Sequence, residues 1–231
     1  MPNHVASQLT ISGPYLDVLR FVDAVDKSEI ANGNSFDFNG VVPMPAELRG
    51  TSSPTRIQTQ EEIDKQWADW REAKAKKQDS GPMGVHSFDS DRPFGLGITQ
   101  EQSDRLITKY GANNWYDWAL NNWGTKWAAY DSSEWTLEEC ANGTGTATIS
   151  YNTAWSPATP FFIKASELFP TLSFETQYAD EGGGFVCETV YADGEVVEDT
   201  DYGWNTPNGI RVREAVGYGP SDEEEDLESQ G

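Results

Sequence analysis

His4, His86, Cys140 and Cys187 are the residues with the chemistry to hold a soft metal ion. None stands at the CxxC or HxxxH spacing that brings two ligands to one ion, so no metal site is expected. Two thiols also fall short of the four thiolates that an iron–sulfur cluster requires. Nucleophilic chemistry is equally unmarked. There is no GxSxG elbow, and neither cysteine is tied to a histidine by spacing. The run Gly182-Gly183-Gly184 follows Asp180-Glu181 but lacks the lysine and helix start that cradle a phosphate, and reads as a turn between strands. Carboxylates are so numerous that nothing selects a glycosidase-like pair. No catalytic residue, metal ligand or cofactor is therefore assigned.

The densest cluster of unusual side chains is NNWGTKWAAYD, residues 121–131. As a site, Trp123 and Trp127 would form a platform, Lys126 would grip an anion and Asp131 would serve in acid–base chemistry. As packing, the indoles would fill a seam between helix and sheet and Gly124 would permit a turn. Lys126 would lay its stem on apolar surface with the charge in water. Trp155, in TAWSP, would bring another ring to the same seam. Packing is the favoured reading, because aliphatic residues are sparse and aromatics, each burying roughly 150–250 Å², must supply the core. Trp123, Gly124, Lys126, Trp127 and Trp155 are thus expected to be structural.

Charge is the other strong signal. The 231-residue chain carries 38 acids against 16 bases, net −22, and residues 128–231 hold 21 acids and three bases. No Lys or Arg occurs from Ala165 to Ile210. Glu175, Asp180, Glu181, Glu188, Asp193, Glu195, Glu198, Asp199 and Asp201 fall on expected strands and turns without local cations. They form either a solvated surface or a fixed anionic face that imitates DNA phosphates and meets a basic groove. Direct nucleic-acid binding is not expected, since it needs clustered Lys or Arg. A basic protein partner is favoured electrostatically.

These residues need elements to hold them. VASQLTIS (5–12) reads as a strand. Apolar positions Leu16, Leu19, Val22 and Val25 give a helix over 14–26. FDFNGVVPMP reads as a short extended piece stopped by prolines. Residues 58–78 read as a polar helix with Ile63, Trp67 and Trp70 as its stripe. Residues 79–98 read as a long loop. Thr99 with Gln102 forms a capping box for the next helix, and 113–122 is another. Strands are expected at 143–155, 171–179 and 182–192, with a helix near 160–169 between the first two. Asp193-Gly194 is a hairpin turn into a returning strand. The order suggests an α+β sandwich, with helices on one face of an antiparallel or mixed sheet. Residues 1–218 would be one domain with a helix-and-loop insertion at about 50–122, and 219–231, SDEEEDLESQG with its six acids from 221 on, a disordered acidic tail.

Three stretches resemble a known family: NHVASQLTISG with FDFNGVVPMP, then WGTKWAAYD, then TAWSPATP…LFPTLSF…YADEGGGF. Together they are similar to the YubB ferredoxin-like domain family of phages, conjugative plasmids and genomic islands. The resemblance implies a ferredoxin-like fold and a mobile-element source, and brings no activity, cofactor or catalytic residue.

The N-terminus has no basic segment followed by a long apolar run, and no stretch reaches ~18 apolar residues. The expectation is a protein of the host cytoplasm with no membrane association. Its expected function is non-catalytic binding of a basic host protein, in a nucleic-acid-processing or defence system. Two other classes stay open: a carboxylate-dependent hydrolase or nucleotide-handling enzyme near the loop at 79–98, and a nucleotide or sugar binder using exposed tryptophans.

Overall fold

The computed structural model describes residues 3–29, 34–79, 93 and 95–219. His86, most of the expected loop at 79–98 and the acidic tail from 220 lie outside the described residues. The chain divides into two compact units, Met44–Trp118 and the remainder, Met1–Pro43 with Ala119–Gly231. The inserted unit thus begins before residue 50 and ends before 122, and the division falls inside a helix, Trp115–Asn122.

In the larger unit β1 (His4–Pro14) leads directly into α1 (Tyr15–Val25). A single 3-10 turn, Phe38–Gly40, replaces the extended piece expected there, because Asp37 accepts from Asn39 N and curls the chain. β2 (Thr136–Glu139) and β3 (Thr144–Ala154) form a hairpin. Then follow α6 (Thr159–Leu168), β4 (Ser173–Asp180), β5 (Val186–Ala192), β6 (Glu195–Asp201) and α7 (Pro207–Ala215). The sheet is six-stranded and antiparallel, in the order β2-β3-β1-β4-β5-β6. β1 lies between β3 and β4, which run the same way and are joined through α6: a split β-α-β unit, and with it a ferredoxin-like α+β domain.

Register shows which residues share a face. Leu9 stands opposite Ile149 and Thr176, and Ile11 opposite Ala147 and Phe174. This face carries the apolar residues, and against it pack Phe21 of α1 and Phe161 and Phe162 of α6. Phe36, fully buried, meets Phe38, Tyr151, Trp135 and Phe161 edge-on at centroid distances of 5.0, 5.0, 5.7 and 5.8 Å. Edge-to-face geometry sets the positive rim of one ring against the negative face of the next. The aromatic residues do form the core. Leu16, one of the apolar positions that mark the first helix, is exposed, as is Leu168 of α6, and Val18, Phe21, Ala165 and Phe161 occupy those helices' buried positions.

The opposite face is polar over Gln8, Thr10, Glu175, Gln177 and Glu188. At its β4–β5 end Ala179 and Val186 are covered by Val212 of α7. Thr206 caps α7 by accepting from Gly209 N, and Pro207 follows at the first helical position; such a pair is a readable helix start, absent from the expectations above.

The inserted unit holds α2 (Ala46–Arg49), α3 (Gln60–Asp79), α4 (Gln100–Tyr110) and the start of α5 (Trp115–Asn122). Its two longer helices begin alike, TQEEIDK at 59–65 and TQEQSDR at 99–105. Thr59 N donates to Glu62 at 2.8 Å and Thr99 N to Gln102 at 2.9 Å. Gln60 and Gln100 reach Asp64 and Asp104 at 2.9 and 2.8 Å. A parallel bridge, Ile57 with Ile98, sets the two starts side by side.

Candidate functional site

The segment 123–127 does not act as one block. Trp123 is 3% exposed, lies against Phe38 and donates its Nε1–H to Val42 O at 2.9 Å. Gly124 has φ 80°, and a Cβ there would overlap Pro160 Cδ. Thr125 is buried and donates to Trp127 O. This half is packed among buried residues. The other half is not: Trp127 and Trp155 are 36% and 46% exposed. Lys126 Nζ lies over both rings, 4.6 Å from the centroid of Trp127 and 5.0 Å from that of Trp155. Neither of these indoles is hidden in the seam. The chain leaves β3 at Ala154 and turns at once, with Trp155 at φ 69°, and this turn carries the ring outward. Asp131 also has a left-handed backbone, φ 50°. Close by, His4 Nδ1 and Tyr130 OH are 2.5 Å apart. The phenol of Tyr130 is pushed above its ordinary range by burial, then by Asp131.

The nine acids fall into three groups. Asp180 is buried and shapes the glycine turn, its Oδ2 accepting from Gly182 N and Gly184 N at 3.1 Å each, while Glu181 accepts from His4 N. Glu175 and Glu188 lie on the polar sheet face. The remaining five follow β6 and its hairpin: Asp193 at the turn, then Glu195, Glu198, Asp199 and Asp201, all exposed. Asp193 and Gly194 have φ 51° and 79°, as the expected hairpin turn requires. Asp199 accepts from Thr189 Oγ1 at 2.7 Å, and Asp201 lies 3.7 Å from Cys187 Sγ. Burial pushes that thiol up to about 11, which leaves it a poor nucleophile.

Glu188 corrects the expectation that the array has no local cation. Arg211, just beyond the cation-free stretch in sequence, reaches back from α7 and donates from both Nη atoms, at 2.9 and 2.6 Å. Tyr202 OH and Gln177 Nε2 add bonds of 2.6 and 2.5 Å. These donors, Arg211 first, hold the Glu188 carboxyl down to about 2. A carboxyl lowered on folding stabilises the fold above its unfolded value and loses that contribution as pH falls toward the folded one. Glu188→Gln is therefore expected to cost about 2 kcal/mol at pH 6, discounted for the half-exposed arginine. In urea titrations the gap between parent and variant should close between pH 4.5 and about 2. A gap that persists at pH 2 would contradict this clamp.

Among the described residues no group of three or more His, Cys, Asp or Glu is arranged to hold a metal ion. In the inserted unit a cleft of about 880 Å³ opens where α3 and α4 begin, lined by Gln58, Thr59, Glu62, Thr99, Gln102 and Arg105. The capping side chains already occupy the helix-start N–H groups there, and Glu61 and Glu101 stand in the first turns. Elsewhere in this unit Glu47 accepts from Lys109 and Tyr110 and pairs with Arg105.

The larger unit is thus an α+β domain of ferredoxin-like class with a polar, acidic outer edge. In agreement, residues 122–218 match a family model described as the ferredoxin-like domain in Api92-like protein. WGTKW and TAWSP both lie inside that range. The matched description carries the ferredoxin-like expectation without the YubB name. Among solved structures, the protein api92 from Yersinia pseudotuberculosis is similar over 88% of this chain and 99% of that one, at 12% identity and a TM-score of 0.44. No curated protein matches. Among the described residues no helix is long and apolar enough to cross a membrane.

Proposed function

We propose that the protein is a non-catalytic binding module that meets a basic host protein along its acidic edge strand, β6. The observation that carries this reading is the place of the acids. β6 is the last strand of the sheet and pairs on one side only, with β5. Along it Glu195, Glu198, Asp199 and Asp201 flank the adjacent pair Val196 and Val197, which are 40% and 59% exposed. No ion pair to these four acids occurs among the described residues. An edge strand offers unpaired N–H and C=O groups to any extended segment. Carboxylates there repel a second copy of the same strand and attract a basic one, so one set of charges supplies both protection and selectivity.

Proteins that process nucleic acid carry basic grooves built for phosphate, and a fixed edge with carboxylates on both of its faces suits the same groove. The phage and plasmid family that the sequence resembles makes a host nucleic-acid-processing or defence enzyme the fitting partner.

The test is capture from host lysate on the parent chain and on a triple charge reversal, Glu198→Lys, Asp199→Lys and Asp201→Lys. The parent is expected to retain a basic protein that leaves as salt rises. The triple variant should weaken its retention by at least about tenfold, since close charge pairs couple by about 1.5 kcal/mol or more. Retention that ignores both salt and the charge reversal would overturn the reading.

A further inference from the structure

Lys126 has an odd neighbourhood for a lysine in a chain with 38 acids. Among the described residues no carboxylate lies within ion-pairing distance of its Nζ. Two indole faces take that place, at 4.6 and 5.0 Å. The corner is fixed by its surroundings. Trp155 holds a left-handed backbone, φ 69°, which is costly for a bulky side chain. Its N–H donates to Asn3 O at 3.0 Å, Thr153 Oγ1 donates to Ser156 O at 2.8 Å, and Ser156 Oγ donates to Gly124 O at 2.6 Å. Tyr130 meets Trp127 edge-on at 6.3 Å.

The wider surroundings are acidic. Asp131 and Glu181 both act on the phenol of Tyr130, which meets Trp127 edge-on, and the whole chain stands at −22. An anionic ligand would be repelled from it, whereas a cation is drawn in, and two indole faces already stabilise one there. Among cations, a guanidinium is flat, weakly hydrated and stacks on indole, where an ammonium is compact and strongly hydrated.

We propose that Trp127 and Trp155 form an aromatic cage for an arginine side chain of the basic partner, and that Lys126 is the internal cation that fills it in the free protein. This rests on the binding role argued above and names the side chain the partner brings. Lys126, on its flexible four-carbon stem, swings out as the arginine enters, and its contact with the two rings is the competition the arginine must overcome.

The probe is the neutral-ended peptide acetyl-Gly-Arg-Gly-amide, titrated against the full chain while the indole N–H signals are followed by NMR. Lys126→Met keeps the apolar stem and removes the competing charge. It is expected to bind the peptide roughly two- to fivefold more tightly than the parent, the contribution of one exposed cation–π contact. Adding Trp127→Leu or Trp155→Ala to that variant should abolish the gain. Trp127→Leu leaves the left-handed position untouched, and so keeps the test readable should Trp155→Ala not fold. Equal or weaker binding by Lys126→Met, or a gain that survives loss of the ring, would overturn the cage. The peptide is too short to need β6, so its titration reads the cage, while partner capture by the β6 charge reversal reads the edge. Peptide binding without capture of a basic protein would leave the cage standing and remove the edge.

Discussion

Phe36→Ala is expected to lower stability by about 4 kcal/mol, the upper part of the range for truncating a buried phenylalanine. The ring is fully buried and has four edge-on aromatic partners within 5.8 Å. Two of these, Tyr151 of β3 and Phe161 of α6, belong to different layers, and a third, Phe38, sits on the 3-10 turn. Truncation leaves a cavity whose walls belong to sheet, helix and turn, and such walls cannot close together. In thermal unfolding the melting temperature should fall by roughly 10 °C for a unit of this size. Phe36→Leu, which refills most of the volume, should recover more than half of the loss. A melting point within about 2 °C of the parent would mean that the aromatic cluster does not organise the core.

Gly124→Ala should cost about 3 kcal/mol, and it should act on the Lys126 corner as well as on stability. Two penalties combine. At φ 80° any Cβ is strained, and the added methyl would overlap Pro160 Cδ and lie 3.4 Å from Pro157 O. Relief requires the segment carrying Lys126 and Trp127 to move away from the start of α6, which breaks the bond from Ser156 Oγ to Gly124 O. The indole N–H signals of Trp127 and Trp155 should both shift. Gly111→Ala is the control: its φ is also positive, 74°, but nothing lies near the added methyl. It should cost only about 1–2 kcal/mol. Equal losses for the two would show that the contact with Pro160 carries no energy.

Local signals were the legible part of this fold. The alternation in VASQLTIS, the Thr99 capping box and the Asp193-Gly194 hairpin each depend on a few adjacent residues, and each has the form expected. The ferredoxin-like topology was legible through the resemblance. The sequence read alone misses what only distance in space can tell. Arg211 meets Glu188 across 23 positions of chain, so a stretch free of Lys and Arg is not a surface free of cations. The acids on β5 and β6 also alternate between the two sheet faces: Glu188 and Glu198 share one, Asp199 and Asp201 the other. Periodicity foretells this once the strands are known, yet a run of nearby acids suggests a single face. The exposure of Trp155 is illegible in the sequence for a third reason. Its outward course depends on a left-handed backbone after β3, and that conformation is fixed by Asn3, Ser156 and Gly124 rather than by its own type.

Whether the acidic edge is where a basic protein docks is tested most directly by amide hydrogen exchange on the chain with and without its captured partner. The account predicts slowed exchange over Glu195–Asp201, with the opposite edge strand, Thr136–Glu139, unchanged. Slowing confined to Thr136–Glu139 or to Met44–Trp118, with β6 unaltered, would contradict it.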